Sequence, residues 1–125
     1  MNDAKVLLVD DEEEFVSALA ERLDIRGIDT RVATDGEQAL ELIESQLFDV
    51  IVLDVIMPGI SGLEVLQRIK AKKIPSAVIL LTGHGSTREG VEGMRMGAFD
   101  YLMKPLDIDE LIGKMKESIA ARKSE

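Results

Sequence analysis

Asp10, Asp11, Asp54, Thr82 and Lys104 are the residues whose types and positions could do chemistry together. Asp10 and Asp11 follow the apolar run Lys5–Val9, Asp54 follows Val50–Leu53, and Thr82 follows Ala77–Leu81. Lys104, with Pro105 after it, comes just past Ala98–Leu102. Carboxylates brought together raise one another's pKa. Hard divalent cations relieve this, and Mg²⁺ commonly takes one or two carboxylates plus phosphate oxygens. A carboxylate at such a site can attack phosphorus and form an aspartyl phosphate. The charge of the transferring group must then be held. Lys104 would supply a cation for this and Thr82 a hydroxyl. Helix capping by Asp10 or Asp11 alone is the simpler use of those two, but it does not explain Asp54 and Lys104 on other runs.

Five short apolar runs, Asp29–Ala33 being the fifth, read as strands. Val50-Ile51-Val52-Leu53 and Val78-Ile79-Leu80-Leu81 do not alternate with polar residues. Strands covered on both faces, as in a parallel sheet, look like this. Between them lie stripes with helical spacing: Phe15, Leu19, Leu23; Leu40, Ile43, Leu47; Leu63, Leu66, Ile69; and Ile108, Leu111, Ile112, Met115, Ile119. Thr34-x-x-Glu37, Ser61-x-x-Glu64, Ser86-x-x-Glu89 and Asp107-x-x-Glu110 fit helix-start capping boxes. Gly27 and Gly97 suit left-handed helix ends, and Pro75 blocks the third helix. Glu12, Glu13 and Glu14 fall in the first helical turn, where the helix dipole favours anions. The fourth helix, over Thr87–Met96, contains Gly90 and Gly93 and should be the softest, since each glycine costs about 1 kcal/mol relative to alanine.

These elements predict a single α/β domain, a doubly wound (βα)5 parallel sheet with helices on both faces. In such sheets ligands bind beyond the carboxyl ends of the strands, where all the candidate residues fall. If the first and third strands are neighbours, Asp54 faces Asp10 and Asp11.

Composition bounds the function. The chain has 125 residues, enough for one domain, with 46% hydrophobic and 31% charged. A net charge of −9 argues against direct binding to nucleic acid or to an anionic membrane. There is no cysteine, which excludes disulfides, thiolate zinc sites and thiol catalysis. The lack of cysteine makes a reducing cytosol the simplest compartment, so a cytoplasmic protein is expected, and the sequence shows neither a signal-peptide pattern nor a span-length apolar segment.

Val9-Asp10-Asp11, Leu53-Asp54-Val55-Ile56-Met57-Pro58-Gly59, Leu81-Thr82-Gly83 and Gly97-Ala98-Phe99-Asp100-Tyr101-Leu102-Met103-Lys104-Pro105 together resemble the receiver domain of two-component response regulators. The resemblance runs from Lys5 to about Ala121, within a domain over 1–125. It implies a flavodoxin-like fold with strand order 2-1-3-4-5. Asp54 would accept a phosphoryl group from a histidine kinase or phosphotransfer protein. Mg²⁺ would be ligated by Asp11, by Asp10 through water, by Asp54 and by the backbone carbonyl of Ile56. Lys104 would pair with the phosphoryl group, Thr82 would move toward it, and Tyr101 would swing inward. The surface of the fourth helix, fifth strand and fifth helix would change, acting on an output domain or downstream protein, or pairing two copies. Lys104-Pro105 resembles the family's cis peptide.

Other residues have plainer readings. Met57-Pro58-Gly59 is a turn, Lys70, Lys72 and Lys73 form a solvated helix end, and His84 is an exposed, non-catalytic loop residue. The main rival is a haloacid-dehalogenase-like phosphatase, an enzyme that also uses an aspartate nucleophile. It wants a second aspartate two residues on, where this chain has Ile56. A flavodoxin-like binding module would want a hydroxyl-rich loop in place of Asp10 and Asp11, and no GxxxxGK[ST] loop occurs.

Overall fold

The computed structural model describes residues 3–83 and 87–123. Strands and helices alternate: β1 (Lys5–Val9), α1 (Glu13–Ile25), β2 (Asp29–Ala33), α2 (Gly36–Ser45), β3 (Val50–Asp54), α3 (Gly62–Ala71), β4 (Ala77–Thr82), α4 (Thr87–Arg95), β5 (Asp100–Met103) and α5 (Ile108–Lys123). The strands form one sheet in the order β2-β1-β3-β4-β5, every pair parallel. Order and fold class match the expectation.

Alternate residues of each strand feed two separate cores, which is why the central strands are apolar throughout. Leu7, Ile51, Leu53, Val78 and Leu80 pack with Ala39 and Ile43 of α2 and Val65, Leu66 and Ile69 of α3. Val6, Leu8, Val50, Val52, Ile79 and Leu81 pack with Val16, Leu19 and Leu23 of α1 and Leu111 and Met115 of α5. The same alternation, carried past the cores, sets the site. Asp54 shares a face with Val50 and Val52, toward α1 and α5. Thr82 shares its face with Val78 and Leu80, toward α3 and α4.

Several boundaries differ from the sequence reading, each for a local reason. β3 and β4 extend one residue to include Asp54 and Thr82, because Asp54 pairs with Leu81 and Thr82 with Met103. β5 begins at Asp100, not Ala98, since the Ala98 amide donates to Gly93 O (2.9 Å) and closes α4. α2 ends at Ser45, leaving Leu47 exposed, and Phe48 fills the core instead. Asp35, rather than Thr34, caps α2, accepting from Gln38 N at 2.8 Å, while Thr34 bonds the Gln38 side chain. Glu12 is the N-cap of α1 and not part of its first turn. The Ser61 and Asp107 caps are present, and Ser86 lies outside the described residues. Met57 is more than a turn residue, its side chain being buried in the α2–α3 core.

Gly90 and Gly93 have a packing cause. A Cβ on Gly90 would lie 2.6 Å from the Tyr101 ring, and one on Gly93 2.0 Å from Leu80 Cδ1. α4 is glycine-bearing because it lies hard against β4 and β5, and overpacking such contacts is unfavourable.

Three helices stop by the same device. In α1, α3 and α4 the second residue past the cap bonds back across the last turn: Ile28 N to Leu23 O, Ile74 N to Ile69 O and Ala98 N to Gly93 O. The left-handed position in between is Gly27 (φ 79°), Lys73 (φ 56°) and Gly97 (φ 105°). The left-handed turn at Lys73 therefore stops α3 before Pro75 is reached. An L-residue pays about 1–2 kcal/mol in this conformation, and glycine largely avoids it. Lys73→Gly should raise stability by about 1 kcal/mol, seen as a higher urea midpoint at unchanged m-value. A lower midpoint would mean that the Lys73 side chain contributes more than its backbone costs.

Candidate functional site

The carboxyl edge of the sheet gathers the residues in question. Asp10 continues β1 through its amide bond to Ala33 O (3.1 Å), and Asp54 ends β3 next to it. Carboxylate oxygens of Asp10, Asp11 and Asp54 all lie within 4.8 Å of one another. Asp10 and Asp54 are buried at 1% and 6% exposure, while Asp11 is exposed. Lys104 leaves β5 with its amide on Thr82 O (2.9 Å) and reaches back across the sheet. Its Nζ lies 2.8 Å from Asp10 Oδ2, 3.0 Å from Glu12 Oε1 and 3.7 Å from Asp54 Oδ2. The Lys104-Pro105 peptide is cis.

Asp10 caps a helix and also belongs to the carboxylate cluster. Its Oδ1 accepts from Glu12 N (2.9 Å), capping the entry to α1. Its Oδ2 is buried and close to Lys104, but finds no hydrogen-bond partner of good geometry among the described residues. The pair is a charge contact rather than an aligned bond. A buried carboxylate oxygen without an aligned donor is costly. A set of carboxylate oxygens, one of them in this position, suits a hard divalent cation bound through oxygen.

Burial pushes the Asp54 carboxyl up to about 7, and the charge of Asp10 adds to it. Lys104 and the Ile56 backbone amide pull it down, and Asp11 raises it slightly. Burial disfavours the Lys104 ammonium, but its close contact with Asp10, its bond to Glu12 and the charge of Asp54 outweigh this and raise its pKa.

Thr82 is fully buried, its hydroxyl 3.5 Å from Leu102 O, a long and weak contact. Tyr101 is partly buried against the α2–α3 core, and its ring lies over Gly90. Ile56, two residues past Asp54, is 61% exposed. His84 lies outside the described residues.

Two contributors escaped the sequence reading. The sequence reading places Glu12 in a helix start where the dipole favours anions, yet Glu12 holds Lys104. Gly62 was not singled out. A Cβ there would sit 2.1 Å from Asp54 O and 2.8 Å from Val55 Cα, so the start of α3 rests directly on the Asp54 backbone. Its one sequence signal is a weak helix former directly after the Ser61 cap. Gly62→Ala should cost about 1–3 kcal/mol, because the neighbour is backbone and cannot rotate away. Unchanged stability would show that α3 can shift freely.

The folded Asp54 pKa of about 7 lies above its ordinary 3.8. Between those values the folded state holds a proton that the unfolded chain has released. Metal-free stability must therefore fall as pH rises through this window. Asp54→Asn removes the penalty. It should raise the melting temperature at pH 8 without metal, with the gain shrinking toward pH 4. A gain of equal size at both pH values would contradict the buried-carboxylate account.

Among the described residues no helix is long and apolar enough to cross a membrane. The family model for the response regulator receiver domain matches residues 6–116. The chain is 42% identical to the transcriptional regulatory protein CpxR of Klebsiella pneumoniae over 112 residues, 90% of this chain and 47% of that protein. It is 37% identical to the alkaline phosphatase synthesis transcriptional regulatory protein PhoP of Bacillus subtilis over 126 residues, 97% of this chain and 52% of that protein. The chain thus spans about half the length of the curated relatives it matches. Among solved structures, the receiver domain of the Francisella response regulator 1452 superposes with a TM-score of 0.88 at 38% identity, covering 95% of this chain and 98% of that one. A CheY-like receiver from Methanospirillum hungatei gives 0.90 at 26% identity, covering 97% of each. These relatives are signalling proteins, and the phosphatase alternative finds no support in them. With its strand order and the carboxylate cluster at the sheet edge, the chain belongs to the response regulator receiver domain family.

Proposed function

We propose that this chain is a phosphorylation-dependent switch in which Asp54 accepts the phosphoryl group. The observation that carries the reading is the buried Asp54 carboxylate, grouped with Asp10 and Asp11 and 3.7 Å from the ammonium of Lys104. An Asp54 oxygen attacks phosphorus of a histidine kinase's or phosphotransfer protein's phosphohistidine. The O–P bond forms as the N–P bond breaks, and the electron pair leaves with the imidazole. Mg²⁺, held by Asp10, Asp11, Asp54 and the Ile56 carbonyl, would supply positive charge opposite the phosphoryl oxygens. Lys104 holds the charge from the other side, so the contribution is positioning and electrostatics. Ile56, two residues past Asp54, offers an apolar side chain that cannot activate water, so self-dephosphorylation is slow.

The transition would pass through the α3–α4 side of the sheet. New phosphoryl oxygens draw in the Thr82 hydroxyl, whose present contact is weak, and Tyr101 follows. Gly90 gives the Tyr101 ring its present seat, so moving the ring alters the face made by α4, β5 and α5. Val91, Met94 and Met103 are apolar and exposed on these elements. That face would act on an output domain, a downstream protein or a second copy. The receiver unit would span 1–125 with its core over about 4–121, in the cytoplasm with its kinase. The family's transcriptional regulators make a DNA-binding output the natural companion, which this acidic domain would control without touching nucleic acid.

Acetyl phosphate with Mg²⁺ should label the protein with an acid- and base-labile group, and Asp54→Asn should abolish labelling while leaving the fold intact. Retained label in Asp54→Asn would place the acceptor elsewhere. Mg²⁺ at about a hundredfold over its Kd should add about 2.7 kcal/mol of stability, and much less in Asp11→Asn. Equal gains in both would remove Asp11 from the ligand set.

A further inference from the structure

Lys104 is held mainly from one side. Asp10 Oδ2 at 2.8 Å and Glu12 Oε1 at 3.0 Å come from the segment joining β1 to α1, and the Phe15 ring at 4.7 Å from the first turn of α1. Asp54 Oδ2 stands further off at 3.7 Å. Glu12 occupies the N-cap of α1, where a side chain ordinarily accepts from a helix-start amide. The Glu12 side chain makes no such bond, and its carboxylate accepts from Lys104 Nζ instead.

We propose that Glu12 is a positioning residue that holds Lys104 on the α1 side and competes with an anion at Asp54 for that ammonium. The proposal rests on the reading of Asp54 as phosphoryl acceptor. An ammonium has three donors, and two of them face carboxylates of the β1–α1 segment. With Asp10 engaged by a divalent cation, Glu12 is the carboxylate that continues to hold Lys104. The Phe15 ring keeps the ammonium near α1 by cation–π attraction. Glu12 thereby opposes loading of the site and sets how much phosphoryl-like charge is needed to draw Lys104 across. The Glu12 side chain is 64% exposed, so the effect is that of a solvent-screened pair.

The test is binding of beryllofluoride, with Mg²⁺, measured by calorimetry. The parent should bind and Asp54→Asn should not. If Asp54→Asn binds as the parent does, the acceptor reading fails and the proposal falls with it. With that arm passed, Glu12→Gln should bind about two- to fivefold more tightly, the range of a single exposed ion pair. Phe15→Leu should shift affinity in the same direction by less. In a Lys104→Ala background the Glu12→Gln gain should vanish. A gain that survives there would be general charge repulsion and would overturn the role assigned to Glu12, as would unchanged or weaker binding by Glu12→Gln. A second readout needs no metal: Glu12→Gln and Lys104→Ala should change the melting temperature non-additively, and additive shifts would overturn the proposal. Should Lys104→Ala not fold, Glu12→Gln and Phe15→Leu decide by the sign of their effect on beryllofluoride affinity.

Discussion

Carboxylates outnumber ammonium groups at the carboxyl edge of this sheet, and much of the rest follows from that imbalance. Asp10, Glu12 and Asp54 stand against Lys104, and Asp11 joins Asp10 and Asp54 in one carboxylate cluster. Two of these acids are buried, where charge is poorly screened and repulsion is strongest. The resting molecule relieves the imbalance in two ways. Lys104 is drawn across from β5, and Asp54 keeps its proton up to about pH 7. Neither is complete, as the unaligned Asp10 Oδ2 records. A bound divalent cation would complete the balance, and a phosphoryl group would then bring in negative charge that the same cations hold.

Such an arrangement requires rigid support. β3 is buried along its whole length, and Gly62 lets α3 press on the Asp54 backbone without a side chain between them. Asp10 caps α1 with one oxygen and meets Lys104 with the other, so the helix start and the charge cluster share an atom framework. Thr82 and Tyr101 sit on the opposite face of the sheet. Both point toward α4, where Gly90 and Gly93 bring the helix into contact with β4 and β5. Strand alternation thus puts Asp54 on one face and Thr82 and Tyr101 on the other, along the successive strands β3, β4 and β5.

Much of this was legible in the sequence. Non-alternating apolar runs gave the parallel sheet, because burial on both faces removes the polar period. Strand-end residues gave the candidate site, because the carboxyl edge is where loops from neighbouring strands meet. Strand order came from family resemblance, since periodicity says nothing about which strands pair. Boundaries failed where one backbone bond decided them. Ala98 looks like strand but closes α4, and Thr34 looks like a cap but yields to Asp35. Glu12 and Gly62 were missed for a common reason. Their roles exist only across the fold, toward Lys104 on β5 and Asp54 on β3, and no local pattern encodes those distances. Gly90 raised the right question, but its cause, the Tyr101 ring, lies on another strand.

The claim on which the account stands is that Asp54 sits in an under-neutralised pocket built for a cation. Its side-chain carboxyl carbon can be followed directly by ¹³C NMR in metal-free protein across pH. The account predicts a midpoint near 7 and a fall in that midpoint when Mg²⁺ is added. A midpoint near 3.8, unmoved by Mg²⁺, would contradict it.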